Sequence, residues 1–362
     1  MSLVIFIVVI SLLVIVHEWG HFIMAKRLGV KVERFSVGFG PKLYSFVHQE
    51  TEFMICAIPL GGYVKMAGDE RLSCRGRPEE YYSHSPGHRA LIVMMGPVVN
   101  YLLAYLCLWV VFVIGYPTLS PKVGRVLEGY PAHTAGLQKG DTIIRIDRKN
   151  IQSWEDVQKS IAASDQAQLN FVFIRDGRKM EKTIAPKEEF SENILHQTIK
   201  ARRVGIVPEE EIVVLKYNPI ESLGKSFTSL ADITTTTAQA VWRMATGALS
   251  PKEAMTGPVG IFFIIQKAAH MGFSYLLYIV GIISASLAIF NLLPFPVLDG
   301  GHLVFLGIEK IRGKALPVKV DEAISRIGVS LIIFLALYVC YIDLDRLGWI
   351  DKLMTFWNQM GL

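Results

Sequence analysis

His17-Glu18-Trp19-Gly20-His21 places two imidazoles four residues apart with a carboxylate between them. On a helix, positions i and i+4 share a face, so both rings can hold one metal ion while Glu18 sits beside its open position. The metal this pattern suits is Zn2+, and the chemistry is hydrolysis with the glutamate moving protons. The pentad lies inside the apolar run Leu3 to Ala25, which is long enough to cross a bilayer. Ionisable groups in hydrocarbon cost about 2.5–3.5 kcal/mol each on insertion scales, so they are seldom kept there without a use. A chance pentad on a soluble helix fits poorly, because the flanking residues are apolar on every face. A secretory signal peptide is rejected too: the run has no basic leader and no small-residue cleavage site, and Lys26-Arg27 follow it.

The elements that must position this pentad follow from composition. The 362 residues are 51% hydrophobic and 19% charged, and the mean hydropathy is +0.37, which calls for membrane and aqueous parts together. Apolar runs near 3–25, 91–116, 273–293 and 327–342 are each able to span or nearly span a core of about 30 Å. Four spans put both termini on one side. Lys26, Arg27, Lys31, Arg34 and Arg89 flank the first two spans, and Lys310, Arg312, Lys314 and Arg326 precede the fourth, so these loops are expected in the cytoplasm. The termini and the long 117–272 segment are then extracytoplasmic. The net charge of +5 reflects this topology, and no basic, aromatic-interleaved stripe suggests nucleic acid as a partner. Cys56, Cys74, Cys107 and Cys340 form no CxxC pair and read as packing residues.

Two histidines leave a catalytic zinc one protein ligand short. A metzincin would place Gly and His three and six residues after His21, where this chain has Met24 and Arg27. The best remaining candidate is Asp299, in Asn291-Leu-Leu-Pro-Phe-Pro-Val-Leu-Asp-Gly-Gly-His302. Position alone leaves it open between a ligand and a turn residue, since Asp-Gly-Gly is also a strong turn signal.

HEWGH at 17–21, NLLPFPVLDGGH at 291–302, GPVVN at 96–100, VGFG at 37–40 with PLGGYVKM at 59–66, and TGPVGI at 256–261 together carry a resemblance. The chain resembles the site-2 proteases, zinc intramembrane metalloproteases, and most nearly the bacterial RseP type. The resemblance implies that His17, His21 and Asp299 bind Zn2+, that Glu18 is the general acid/base, and that Asn291 helps hold the substrate. It also implies cleavage of transmembrane segments of single-span proteins, anti-sigma-factor-like regulators or signal-peptide remnants, in the bacterial cytoplasmic (inner) membrane. The depth agrees, because His17 lies about 14 Å from the Lys26 end of its helix, within the bilayer and toward the cytoplasm. A non-catalytic PDZ receptor has no use for Glu18, and a metal transporter needs several ligand sets where the sequence offers one.

A transmembrane substrate hides its carbonyls in helical hydrogen bonds, and the segment Phe35 to Met66 suggests how they are freed. Strand-like runs at Phe35–Phe39 and Phe53–Ile58 flank a polar turn around His48 to Glu52, and read as a membrane-associated β-hairpin. Its edge could take an unwound substrate as an added strand, with Gly38 and Gly40 in contact with it. The alternative is an ordinary hairpin that stabilises the fold.

The expected architecture is a polytopic α-helical membrane protein with about four transmembrane helices, this hairpin, and an inserted extracytoplasmic α/β PDZ domain. Residues 1–117 form the first half of the membrane core. Residues 118–187 resemble a single, circularly permuted PDZ domain, where the RseP type carries two, and this domain could hold a C-terminal peptide. Val123–Val126 begins a strand, Thr142–Ile146 and Leu169–Arg175 are strands, Ser153 to Asp156 is a capping box, and Asp176-Gly177 is a turn. Residues 188–272 read as a connector, an amphipathic helix around 220–248 and the TGPVGI loop. The second half of the core occupies 273–348, and an interfacial helix occupies 349–362.

Overall fold

The computed structural model describes residues 2–72, 74–192, 198–315 and 317–348, so the expected interfacial helix at 349–362 lies outside the described residues. The chain forms two compact units. One comprises Met1–Val110, Leu223–Trp242 and Ser250–Leu362; the other comprises Val111–Ser222 and Arg243–Leu249.

The first unit begins with α1 (Ser2–Arg27), on which Val9, Leu13, His17, His21 and Ala25 are buried at four-residue intervals together with Gly20. Both histidines therefore lie on the packed stripe of a helix whose other faces, at Leu3, Val4, Val8 and Leu12, are exposed apolar surface fit for lipid. Lys26 and Arg27 close the last turn, and Gly29 at φ +79° lets the chain leave the helix.

β1 (Val32–His48) and β2 (Thr51–Met66) form the expected hairpin, but it is not a simple pair. Val37 pairs with both Gly62 and Ile55, and Lys42 to His48 pair with Cys56 to Thr51, so each long strand bends and the ribbon has four lanes. The bends come at Gly38 (φ +88°), Gly40 (φ +87°) and Gly61 (φ +108°), conformations that a side chain would strain. One edge lane is Gly62 to Met66; the other is Lys42 to His48.

α2 (Pro86–Ile114) contains Pro97, which cannot donate to the carbonyl four residues before it. In the second unit, β3 (Tyr116–Leu119), β4 (Val123–Val126) and the short α3 (Pro131–Thr134) lead to β5 (Thr142–Ile146) and β6 (Lys149–Asn150). α4 (Trp154–Ala162) starts at Ser153 with the expected capping box to Asp156. β7 (Leu169–Arg175) and β8 (Arg178–Ile184) turn at Asp176 and Gly177, both at positive φ, and the sheet order is β6-β5-β7-β8. Phe171, Phe173, Ile143, Leu169, Val157 and Trp154 are among the residues that fill the core between sheet and helix. Asp141, fully buried, takes two hydrogen bonds of 2.7 Å from the Arg175 guanidinium, which raises the guanidinium's pKa.

In the stretch read from sequence as a connector, the described residues between 188 and 215 instead include four strands. β9 (Lys187–Glu192) pairs with β10 (Thr198–Arg203), β11 (Ile206–Pro208) returns to β4, and β12 (Ile212–Leu215) returns to β3. Runs of three to six residues without clean alternation carry little signal by themselves; pairing with distant strands decides them.

α5 (Pro219–Ala245) is the expected amphipathic helix. Thr234 on it meets the Tyr101 hydroxyl of α2 at 2.6 Å. The expected TGPVGI loop is mostly helix: after the single turn α6 (Pro251–Ala254), Pro258 opens α7 (Pro258–Met271), with Gly257 as its N-cap. α8 (Phe273–Asn291) buries the small residues Gly281, Ser284, Ala285 and Ala288, and a Cβ on Gly281 would meet Ala104 and Cys107 of α2. α9 (Asp299–Arg312) follows, held by Glu309 accepting from buried Arg89. α10 (Val318–Arg346) closes the described chain. Its buried Asp343 accepts from the N–H groups of Gly257 (3.1 Å) and Gly260 (2.7 Å), capping the start of α7. α1, α2, α8 and α10 are the four helices among the described residues that are long and apolar enough to cross a membrane.

Candidate metal centre

The buried stripe of α1 aims His17 and His21 at the N-terminus of α9. His17 Nε2 lies 3.2 Å from His21 Nε2 and 3.1 Å from Asp299 Oδ2, and His21 Nε2 lies 3.6 Å from the same oxygen. One ligand atom from each of the three residues falls within 4.8 Å of the others. A tetrahedral ion with bonds of 2.0–2.2 Å separates its ligand atoms by about 3.3–3.5 Å, so the spacing suits such an ion. The donor set fits as well. Asp299 Oδ2 is buried without a hydrogen-bond donor, although both ring nitrogens are near it, as expected of lone pairs that converge on a shared point. The other nitrogen of His21, Nδ1, stands 2.9 Å from the Ile92 carbonyl, which can only accept; Nδ1 therefore carries a proton, the neutral tautomer that leaves the Nε2 lone pair for a metal.

Asp299 is brought to this point by a tight fold. A Cβ at Gly300 would come within 2.2 Å of the Leu293 carbonyl, and one at Gly301 within 2.0 Å of the Phe295 carbonyl. The Asp-Gly-Gly turn signal and the acid facing the histidines are thus one feature: the glycines let the loop fold back over the helix start that carries the carboxylate.

His17, His21 and Asp299 open onto a cleft of about 370 Å³, which Glu18 lines together with Val14, Tyr63, Val64 and Asn291. A Cβ on Gly62 would stand 3.4 Å from the Glu18 side chain, and Val64 lines the same cleft, so the edge lane of β2 sits beside it. The Asn291 amide is 3.5 Å from His17 Nε2. Gly38 and Gly40 do not line this cleft; they lie at the bends of β1.

Sequence reasoning gave no role at the centre to Gly20 and Gly96, and left Asn100 outside the ligand set as a residue that fits a structural role. A Cβ on Gly96 would stand 2.3 Å from His21 Nε2 and 2.8 Å from His17 Cε1, and one on Gly20 would stand 2.4 Å from the Met95 carbonyl. These two glycines let α1 and α2 cross closely at the histidines. Asn100, one turn beyond Gly96, is fully buried with its amide nitrogen 3.3 Å from His17 Nδ1. The GPVVN motif was the available signal, because its Gly and Asn are four residues apart and share a face.

The sequence matches Peptidase family M50 over residues 5–335. The chain belongs to peptidase family M50. Proteins that carry the name of zinc metalloproteases are similar to it along nearly their full lengths. One from Mesorhizobium japonicum is 32% identical over 95% of this chain and 98% of its own. Others from Campylobacter jejuni and Clostridium acetobutylicum are each 32% identical over 94% of this chain, covering 92% and 97% of theirs. The resemblance to site-2 proteases is borne out, and this M50 protein is a metalloprotease. A solved PDZ domain of the SdrC-like protein from Listeria monocytogenes matches 24% of the chain and 84% of its own length, at 17% identity and a TM-score of 0.21, too low to argue from.

Proposed function

We propose that this M50 protein is a zinc-dependent intramembrane endopeptidase that cuts transmembrane segments of single-span proteins, anti-sigma-factor-like regulators or signal-peptide remnants, in regulated intramembrane proteolysis. The observation that carries this reading is the convergence of His17 Nε2 and His21 Nε2, on a membrane-length helix, with Asp299 Oδ2 of α9, beside a glutamate that is not among them. His17, His21 and Asp299 hold Zn2+. When bound, zinc supplies Lewis-acid polarisation of the scissile carbonyl and lowers the pKa of a water toward about 7. Glu18 accepts a proton from the attacking water and returns it to the leaving amine, from a cleft wall it shares with Tyr63 and Val64. Asn291, on the cleft wall, donates to the substrate backbone.

The lane Gly62 to Met66 is both a sheet edge and a wall of the cleft through Tyr63 and Val64, which supports substrate addition there as an extra strand. In this reading Gly38 and Gly40 serve the substrate through the bends that set the sheet. The second unit is a PDZ domain outside the cytoplasm, which takes a C-terminal peptide or restricts bulky substrates. The Lys26-Arg27 and Lys310–Arg312 ends face the cytoplasm of a bacterial inner membrane. The test is cleavage of a transmembrane peptide by purified protein in detergent. Loss of cutting with a chelator and recovery with zinc is expected; metal-independent cutting, or none on any transmembrane peptide, overturns the reading.

A further inference from the structure

We infer that Asn100 is a positioning residue for the metal, its amide oxygen accepting the Nδ1–H of His17 and so fixing the ring form that turns Nε2 toward the ion. This rests on the zinc reading above. A ring that binds metal through Nε2 must carry its proton on Nδ1, and a buried N–H needs an acceptor. For His21 that acceptor is the Ile92 carbonyl, 2.9 Å away. His17 Nδ1 has instead the amide of Asn100, fully buried, with its nitrogen 3.3 Å away.

Asn100 Oδ1 is itself buried without a partner. A half-turn of the amide brings this oxygen to His17 Nδ1 and gives it the donor it lacks. In the other sense the amide N–H donates to Nδ1, which suits a ring whose Nε2–H points at Asp299, 3.1 Å away. An asparagine can therefore serve His17 both before and after metal arrives.

The simpler role for a buried asparagine in a membrane is to join two helices with its side chain. Here the side chain does join α2 to α1, but the group it reaches is the ring of His17, one of the three converging ligands. The link from α8 is made by the Ser284 hydroxyl, which donates to the Asn100 main-chain oxygen at 2.8 Å. The side chain is left for α1 and His17. Gly96, one turn earlier on the same face, clears room for both histidine rings, so the whole GPVVN face of α2 serves the centre.

The experiment measures zinc retention by the purified full-length protein against a graded chelator, for the parent, Asn100→Leu and Asn100→Asp. Leucine keeps the volume and removes the acceptor; aspartate keeps the acceptor. Zinc held roughly 10–100-fold more weakly in Asn100→Leu, and restored to within a few-fold of the parent in Asn100→Asp, is the expected result. If Asn100→Leu does not fold, Asn100→Ala carries the same expectation. Parental retention in the leucine or alanine variant, or equal weakness with aspartate, overturns the proposal. Failure of the zinc reading looks different: the parent itself holds no stoichiometric zinc, or His17→Ala keeps it.

Discussion

Glu18 lines the cleft but is not one of the three acceptor atoms that converge, so its loss and theirs have different signatures. Glu18→Gln is expected to keep stoichiometric zinc by elemental analysis while cleavage falls by about 10²–10⁴-fold. His17→Ala, His21→Ala and Asp299→Ala should each lose metal and activity together. A full zinc content in Asp299→Ala would point to another third ligand. Gly96 offers a steric test. Its Cβ would stand 2.3 Å from His21 Nε2, so Gly96→Ala should weaken zinc binding and cost about 1–3 kcal/mol by overpacking, read as a lower Tm in detergent. Gly307 on α9 has open space where a Cβ would go, and Gly307→Ala should leave zinc untouched and stability equal or slightly higher.

The edge lane of β2 and the cap on α7 make distinct predictions at the level of elements. A substrate added as a strand along Gly62 to Met66 bonds through every second residue, because strand N–H groups point alternately to opposite sides. N-methylation of successive amides in a transmembrane peptide should therefore reduce cleavage with a period of two around the cut. A flat response, with all positions equally affected, would return the ribbon to a structural role. At α10, Asp343 accepts two N–H groups at the start of α7, and a Cβ on Gly257 would come within 2.7 Å of its oxygen, so the helices meet without spare room. Asp343→Ala removes the acceptor of both donors, at about 1–3 kcal/mol for the buried Gly257 N–H and less for the half-buried Gly260 N–H. Limited proteolysis should show faster cutting near 250–260 in this variant, and Asp343→Asn, which keeps one acceptor, should lie between.

For the whole molecule, the strands of the second unit begin and end on a pair, β3 with β12, since Tyr116 sits opposite Leu215 and Leu119 opposite Ile212. Partners in such a pair are about 5 Å apart, so a short Gly/Ser linker can close the chain when residues 117–214 are excised. That variant is expected to fold, hold zinc and cut substrates with bulky ectodomains that the parent spares. Removing only 118–187 strands β11 and β12 without β4 and half of β3, and should give poor yield and aggregation by size-exclusion chromatography. If both deletions behave alike, the unit's limits lie elsewhere.

What the sequence determined by itself was whatever local pattern enforces. Four apolar runs of membrane length fixed four helices, the i, i+4 spacing fixed both histidines on one face, and Ser153 with Asp156 fixed the start of α4. Asp176-Gly177 fixed a turn for the same reason, that its conformations suit few other residues. Tertiary structure decided what depends on partners far along the chain. Asp299 stood open between turn and ligand until the loop at 292–296 folded back and set it 3.1 Å from His17. The four-lane ribbon, the return of β11 and β12, and the face that Asn100 turns to His17 were hidden for one physical reason: a short strand or a lone polar residue has no energetic preference until its hydrogen-bond partner arrives from elsewhere in the sequence.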